Sequence, residues 1–194
     1  LIALTFFSIS LSSFTKQMEK YRQQLRKQSR ELHYLASKDP LTDVLNSTNH
    51  YVLGKAMLDK AKQEQSQLSM LCIVVDNFDL ITKKYGVHIE ASLLTHVESL
   101  MKDQLHEKGD VTQVSPQEFC ILLPEHDILS AKALAQHITE SVQQNLFTIG
   151  DSKVLLTLSI GISTLLEGDN EIRSIQVRAD KALNKAKALG GNEI

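Results

Sequence analysis

The chain has 194 residues, enough for one compact domain of about 150 residues and an appendage. Its 42% hydrophobic content excludes wholesale disorder, and a net charge of −2 excludes a globally basic nucleic-acid binder. Cys72 and Cys120 lie far apart and form no CxxC pair, so neither a zinc module nor a disulfide scaffold is indicated and both read as buried reduced thiols.

The charge is unevenly spread. Residues 1–14 carry none, residues 15–38 carry seven basic side chains against Glu19 and Glu31, and the −7 that balances this +5 falls on residues 39–194. Fourteen apolar residues are too few to span a bilayer, which needs about 20. An uncharged segment followed at once by a basic one is nevertheless the pattern at the cytoplasmic end of a transmembrane helix. The chain starts with Leu1, so it reads as a piece of a longer polypeptide in which that helix begins earlier. The alternative is a soluble helix that buries the same residues against a partner.

Next comes a heptad seam. Leu4, Phe7, Leu11, Phe14, Met18, Tyr21, Leu25, Gln28, Leu32 and Leu35 follow one another in steps of three and four, with Lys, Arg, Gln and Glu between them. The pattern predicts a parallel two-stranded coiled coil through residues 4–35, with Gln28 as a register marker. Asp39-Pro40 ends it, because proline disfavours helical geometry in the residue before it. Three segments result: 1–14 as a membrane end, 15–38 as a signalling coil and 39–194 as a globular domain.

In the globular part the periodicity predicts a helix over 48–66, a buried strand over 67–76 and a helix over 88–106. Strands over 110–115 and 118–124, a helix over 128–145, strands over 145–149 and 153–163, and a last helix over 171–189 follow. This is an α+β order in which helices cover a sheet.

Three motifs on these elements carry a resemblance. Asp39-Pro40-Leu41-Thr42-Asp43-Val44-Leu45-Asn46 resembles the DxLTGLxN opening of GGDEF domains, the diguanylate cyclase family. Ser159-Ile160-Gly161-Ile162-Ser163 resembles the family's SIGIA strand, and Ala179-Asp180-Lys181-Ala182-Leu183-Asn184-Lys185-Ala186-Lys187 its ADxALYxAK helix. The resemblance implies a nucleotidyl-cyclase-like fold with a central five-stranded mixed sheet. The activity it implies joins two GTP molecules into cyclic di-GMP, with two metal ions held by carboxylates and a glycine turn against the phosphates.

The site residues implied by the resemblance depart from the family pattern. The signature hairpin reads Ser115-Pro116-Gln117-Glu118-Phe119, without either glycine. Pro116 fixes φ near about −65° and lacks an N–H, and Gln117 puts a neutral amide where the family has a metal-binding carboxylate. Phe119 reads as core. In Val74-Val75-Asp76-Asn77-Phe78-Asp79, anchored on Phe78, the other metal carboxylate is replaced by Val74. Asp79 stands in place of a lysine, a second anion that repels unless a cation sits between. The guanine readers correspond to Thr82 and Ala91, which lack the expected polar groups. Lys187 and Asn192 match phosphate-end residues and are retained. His106-Glu107-Lys108-Gly109-Asp110 stands where the family has its inhibitory RxxD motif, without the arginine.

These replacements give the expectation of a domain that is not an enzyme, with no catalytic residue, metal or cofactor. It would act as a regulatory and dimerisation module of a membrane-anchored bacterial signalling protein linked to cyclic di-GMP. The globular domain would be cytoplasmic at the inner membrane, with a downstream partner such as an EAL domain. The alternative is a GTP-binding receptor that does not hydrolyse its ligand and controls a neighbour allosterically. Nucleic acid is not an expected partner, because the basic 16–30 stretch interleaves no aromatic except Tyr21.

Overall fold

The computed structural model describes residues 47–105 and 109–194. The coil, the membrane end and the 39–46 motif lie outside them. The described chain runs α1 (Ser47–Glu64), β1 (Leu68–Val75), α2 (Phe78–Tyr85), a single 3-10 turn (Val87–Ile89) and α3 (Glu90–Leu105). There follow β2 (Asp110–Ser115), β3 (Glu118–Pro124), α4 (Ile128–Gln144), β4 (Phe147–Ile149), β5 (Ser152–Val154), β6 (Leu158–Thr164) and α5 (Ile172–Ala188).

Strand β1 is the centre of the domain because LSMLCIVV is apolar except for Ser69, whose hydroxyl donates to the His126 carbonyl at 2.7 Å, and all eight residues are buried. It lies between β3 and β6 in a sheet ordered β2-β3-β1-β6. Its side chains alternate between two cores. Leu71, Ile73 and Val75 face Val97 and Met101 of α3 and Ala135 and Ile138 of α4. Met70, Cys72 and Val74 face Leu58 of α1 and Ile175, Ala179 and Leu183 of α5.

Helix α5 comes very close to the sheet at Gly161. A Cβ there would lie 2.0 Å from the Ala179 carbonyl oxygen and 2.3 Å from the Leu183 amide nitrogen, so only glycine lets α5 rest on β6. The turn into α5 is held by Arg178. Its guanidinium grips both carboxylate oxygens of Asp169 at 2.8 and 2.6 Å and also donates to the Thr164 carbonyl and the Ser163 hydroxyl. Helix α4 starts at Asp127, whose carboxylate accepts the Ser130 N–H at 2.8 Å. The outer edge of β6 meets the chain's last residues, where the Ile160 N–H donates to the Glu193 carbonyl at 2.9 Å.

The α+β class is as expected, but the sheet is not. The expected five-stranded mixed sheet is four-stranded with every pairing antiparallel, and β4 and β5 form a separate two-stranded hairpin. The expected strand 153–163 breaks between Val154 and Leu158, because Leu156 is buried in the core and Thr157 turns its hydroxyl to Asp76. The expected helix 88–106 is shorter, starting at Glu90 after the 3-10 turn, and α2 was not foreseen. Helix α2 is only two turns long and begins after Asn77 in the left-handed conformation, φ 54°, where a helical period has no length to declare itself.

Candidate functional site

At one end of the sheet β1, the β2–β3 hairpin and the segment after α5 open on a shared cleft of roughly 420 Å³. Asp76, one residue past β1, is its centre. The Ser159 hydroxyl donates to one carboxylate oxygen at 2.7 Å, and the Thr157 hydroxyl and the Asn192 N–H donate to the other at 2.9 Å each. Three donors from two segments make Asp76 a clamp that ties the C-terminal turn to the sheet. Gly191 makes this possible: its φ is +79°, and a Cβ there would lie 3.0 Å from the Asp76 carboxyl.

The signature hairpin is closed on itself and on α2. Gln117 Nε2 donates to Asp79 Oδ1 at 2.6 Å, the Ser115 hydroxyl donates to Glu118 Oε2 at 3.1 Å, and Gln113 Nε2 donates to the Pro116 carbonyl at 3.2 Å. The cation expected to be needed beside Asp79 is thus replaced by an amide N–H. Glu118 accepts a neighbour's hydroxyl rather than standing free.

Among the expected site residues, Val74, Asp76, Asp79, Gln117 and Lys187 line the cleft together with Gly190 and Gly191. Lys187 is exposed at its mouth. Val74 packs into the apolar core under α1 and α5. Glu118 faces a different hollow, shared with Tyr51, Gln176, Asp180 and Asn184. Phe119 is fully buried in the other core. Thr82 is buried on α2, its hydroxyl donating to the Asp79 carbonyl at 3.3 Å, and Ala91 is exposed on the first turn of α3; neither lines the cleft. Asn192 is spent on structure, its side-chain oxygen accepting from Gln143 of α4 at 2.6 Å. Asp110 lies exposed at the start of β2 and lines a hollow with Glu125 and His126; residues 106–108 lie outside the described chain.

Thr157, Gln143 and the roles of Ser159, Gly190 and Gly191 are not foreseen from the sequence. Ser159 sits inside a quoted motif, and the Gly190-Gly191 pair before Asn192 was a visible signal for a turn with positive φ. Away from the cleft, His96 Nε2 meets the Asn145 carbonyl at 3.0 Å and its ring tilts onto Phe147.

A sequence profile described as "Diguanylate cyclase, GGDEF domain" matches residues 36–193. The chain belongs to this family. A protein of Vibrio cholerae named "Diguanylate cyclase" is 30% identical over 162 residues, covering 84% of this chain and 50% of the relative. The structure described as the active GGEEF domain of a diguanylate cyclase from Vibrio cholerae is 29% identical with a TM-score of 0.71, covering 76% of this chain and 94% of that one. The coiled coil and GGDEF domain of DgcB from Caulobacter crescentus, solved with c-di-GMP, shares the fold at a TM-score of 0.79 and 17% identity, covering 95% and 97%. The chain spans about half or less of the length of the curated relatives it matches.

The expectation that the chain is not an enzyme is corrected by these relatives. The family is one of diguanylate cyclases, the Vibrio cholerae relative bears that name, and the GGEEF neighbour is described as active. The replacements at 74 and 115–117 are therefore features of a GGDEF site rather than grounds for removing the chain from an enzyme family. The two-metal arrangement that the family implies does not match the donors present here. Val74 offers none, Gln117 is a neutral amide bound to Asp79, Asp76 already accepts three hydrogen bonds, and no cluster of three metal-ligating side chains exists among the described residues. The described helices include none long and apolar enough to cross a membrane.

Proposed function

We propose that this GGDEF domain serves as a regulatory and dimerisation module in a cyclic di-GMP signalling protein. It would be carried behind a transmembrane helix whose cytoplasmic end is residues 1–14 and a parallel coiled coil through residues 4–35. The globular part, 39–194, would lie in the cytoplasm at a bacterial inner membrane and pass a change in the coil to a following domain or partner, an EAL domain being one candidate. The observation that carries this reading is the Gln117–Asp79 bond. It ties the signature hairpin to α2, so a movement of the hairpin would be felt at α2 and the cleft. Sedimentation of the full chain and of residues 39–194 tests it: the full chain should be a dimer and the shorter one a monomer. A stable dimer without residues 1–38 rejects the coil.

A second reading rests on Lys187. An exposed ammonium at the mouth of a cleft lined by Gly190 and Gly191 suits the phosphates of GTP. Calorimetric titration with GTP and Mg²⁺ should then give binding that Lys187→Ala weakens about tenfold, roughly one charged hydrogen bond. No heat at millimolar GTP rejects this reading. Chromatography of the same mixtures for cyclic di-GMP measures turnover directly.

A further inference from the structure

Cys72 and Cys120 lie 48 residues apart in sequence, yet they are direct partners across β1 and β3 with their sulfurs 3.3 Å apart. Both are free thiols, buried in the core under α1 and α5. Their register is favourable for a covalent bond. The Glu125 N–H donates to the Gln67 carbonyl at 2.8 Å, so the hydrogen-bonded pairs of β1 and β3 fall on the odd residues of β1. Pro124, which has no N–H to give, stands opposite Leu68 on the other parity. Cys72 and Cys120 share that parity. They are a non-hydrogen-bonded pair, whose Cα atoms approach to about 4.5 Å with side chains on one face. A disulfide needs a Cα separation of about 4.4–6.8 Å.

The surroundings suit thiol chemistry as well. His50 is 1% exposed, and its imidazole lies beside the Cys120 thiol. Its imidazole acts on Cys120 in favour of the thiolate, and Asp180 acts against it. The hydrogen bond to Cys120, then burial, push the Cys72 thiol up, while the hydrogen bond from Cys72 holds Cys120 below its ordinary value.

We propose that Cys72 and Cys120 form a site of reversible oxidation, closing to a cross-strand disulfide that pins the signature hairpin to the strand that leads into Asp76. The oxidant is a hydroperoxide small enough to enter the core as the sheet breathes. The Cys120 thiolate attacks one peroxide oxygen, the O–O bond breaks, and hydrogen peroxide leaves one water and a sulfenic acid. Cys72 sulfur then attacks Cys120 sulfur, the S–O bond breaks, and the departing hydroxide takes up the Cys72 proton and leaves as the second water. Two electrons move from the two thiols to one peroxide, and a dithiol reductant returns them. Because Cys72 is two residues before Val74 and Cys120 two residues after Glu118, the bond would fasten the two segments that frame the cleft.

The test treats the full chain with a few equivalents of hydrogen peroxide, denatures it in N-ethylmaleimide and measures intact and peptide masses without reduction. The expected result is a loss of two hydrogens, one cross-linked peptide pair holding Cys72 and Cys120, no alkylation at either, and full return with dithiothreitol. Phenylarsine oxide, which bridges close dithiols, should bind the reduced chain once and fail on Cys120→Ala. Should that variant not fold, the unmodified chain's mass carries the test alone. Two alkylated cysteines after peroxide, sulfinic or sulfonic acid without a cross-link, or a disulfide between two chains would each overturn the proposal.

Discussion

Gln117 Nε2 donates to Asp79 Oδ1 at 2.6 Å, joining the turn between two strands to the first turn of the helix that follows the central one. Each residue alone is a departure from the pattern that the chain otherwise resembles. Together they form a matched pair: the amide supplies the donor that the additional carboxylate requires. Breaking the bond with Gln117→Ala should cost about 1 kcal/mol, the usual net worth of a partly exposed hydrogen bond. Gln117→Glu should cost a similar amount by setting two carboxylates together, and that loss should shrink on adding Mg²⁺. Thermal melts with and without Mg²⁺ check this. A Gln117→Glu variant that melts like the unchanged chain and ignores Mg²⁺ would refute the pairing.

Asp76 holds three donors, so Asp76→Ala should free the Ser159 and Thr157 hydroxyls and the Asn192 N–H at once, destabilising by about 2–3 kcal/mol. The local signature is sharper than the global one. Hydrogen exchange at the Asn192 amide should accelerate far more than at residues in β1, and equal acceleration at both would mean that Asp76 acts only on overall stability.

Gly161→Ala is expected to be among the most damaging single-methyl additions in the domain. The added carbon would press on the backbone of α5 at 2.0 and 2.3 Å, and backbone cannot rotate away as a side chain can. A loss of about 3 kcal/mol or more in urea denaturation is expected. A loss under about 1 kcal/mol would mean that α5 lifts from β6 without cost.

The Arg178 guanidinium, more than the Leu166 N–H, holds the Asp169 carboxyl below its ordinary value, against a smaller opposing effect of burial. A carboxylate whose folded value is depressed stabilises fully above its unfolded value of about 3.9 and loses that contribution as pH falls through the folded value. The unchanged chain should therefore lose more stability on acidification below about pH 4 than Asp169→Asn does. At neutral pH the variant should be less stable by about 2 kcal/mol, since Arg178 is left partly buried without its anion. Parallel pH curves for the two proteins would contradict the pairing.

How much could be read from residues alone depended on the range of the interaction. Strand β1 and helices α4 and α5 were plain because their signals are local: an unbroken apolar run, or a stripe at helical spacing. Helix α2 was missed because Phe78–Tyr85 is too short to repeat its period, and the break at 155–157 because Leu156 continues the apolar run that ends the strand. The site divided in the same way. Val74, Asp76, Asp79, Gln117 and Lys187 were identified individually from motif positions, but no spacing rule announces that an amide at 117 reaches a carboxylate at 79, or that Asn192 bonds Asp76 across 116 positions. Cys72 and Cys120 were rightly seen as buried, while their contact follows only from antiparallel register.

The hydrogen bond from the Ile160 N–H to the Glu193 carbonyl has a consequence for solubility. Strand β6 is an outer strand of its sheet, and an uncovered outer strand offers its peptide groups to any other extended chain. The four residues from Gly191 to Ile194 sheathe that margin, anchored by the Asn192 N–H on Asp76. Trimming them would remove little mass and no core, yet it would bare a ribbon of Ile and Ser ready to pair with its own copies. The segment after α5 that shapes the cleft thus also covers the Ile160 backbone on that margin.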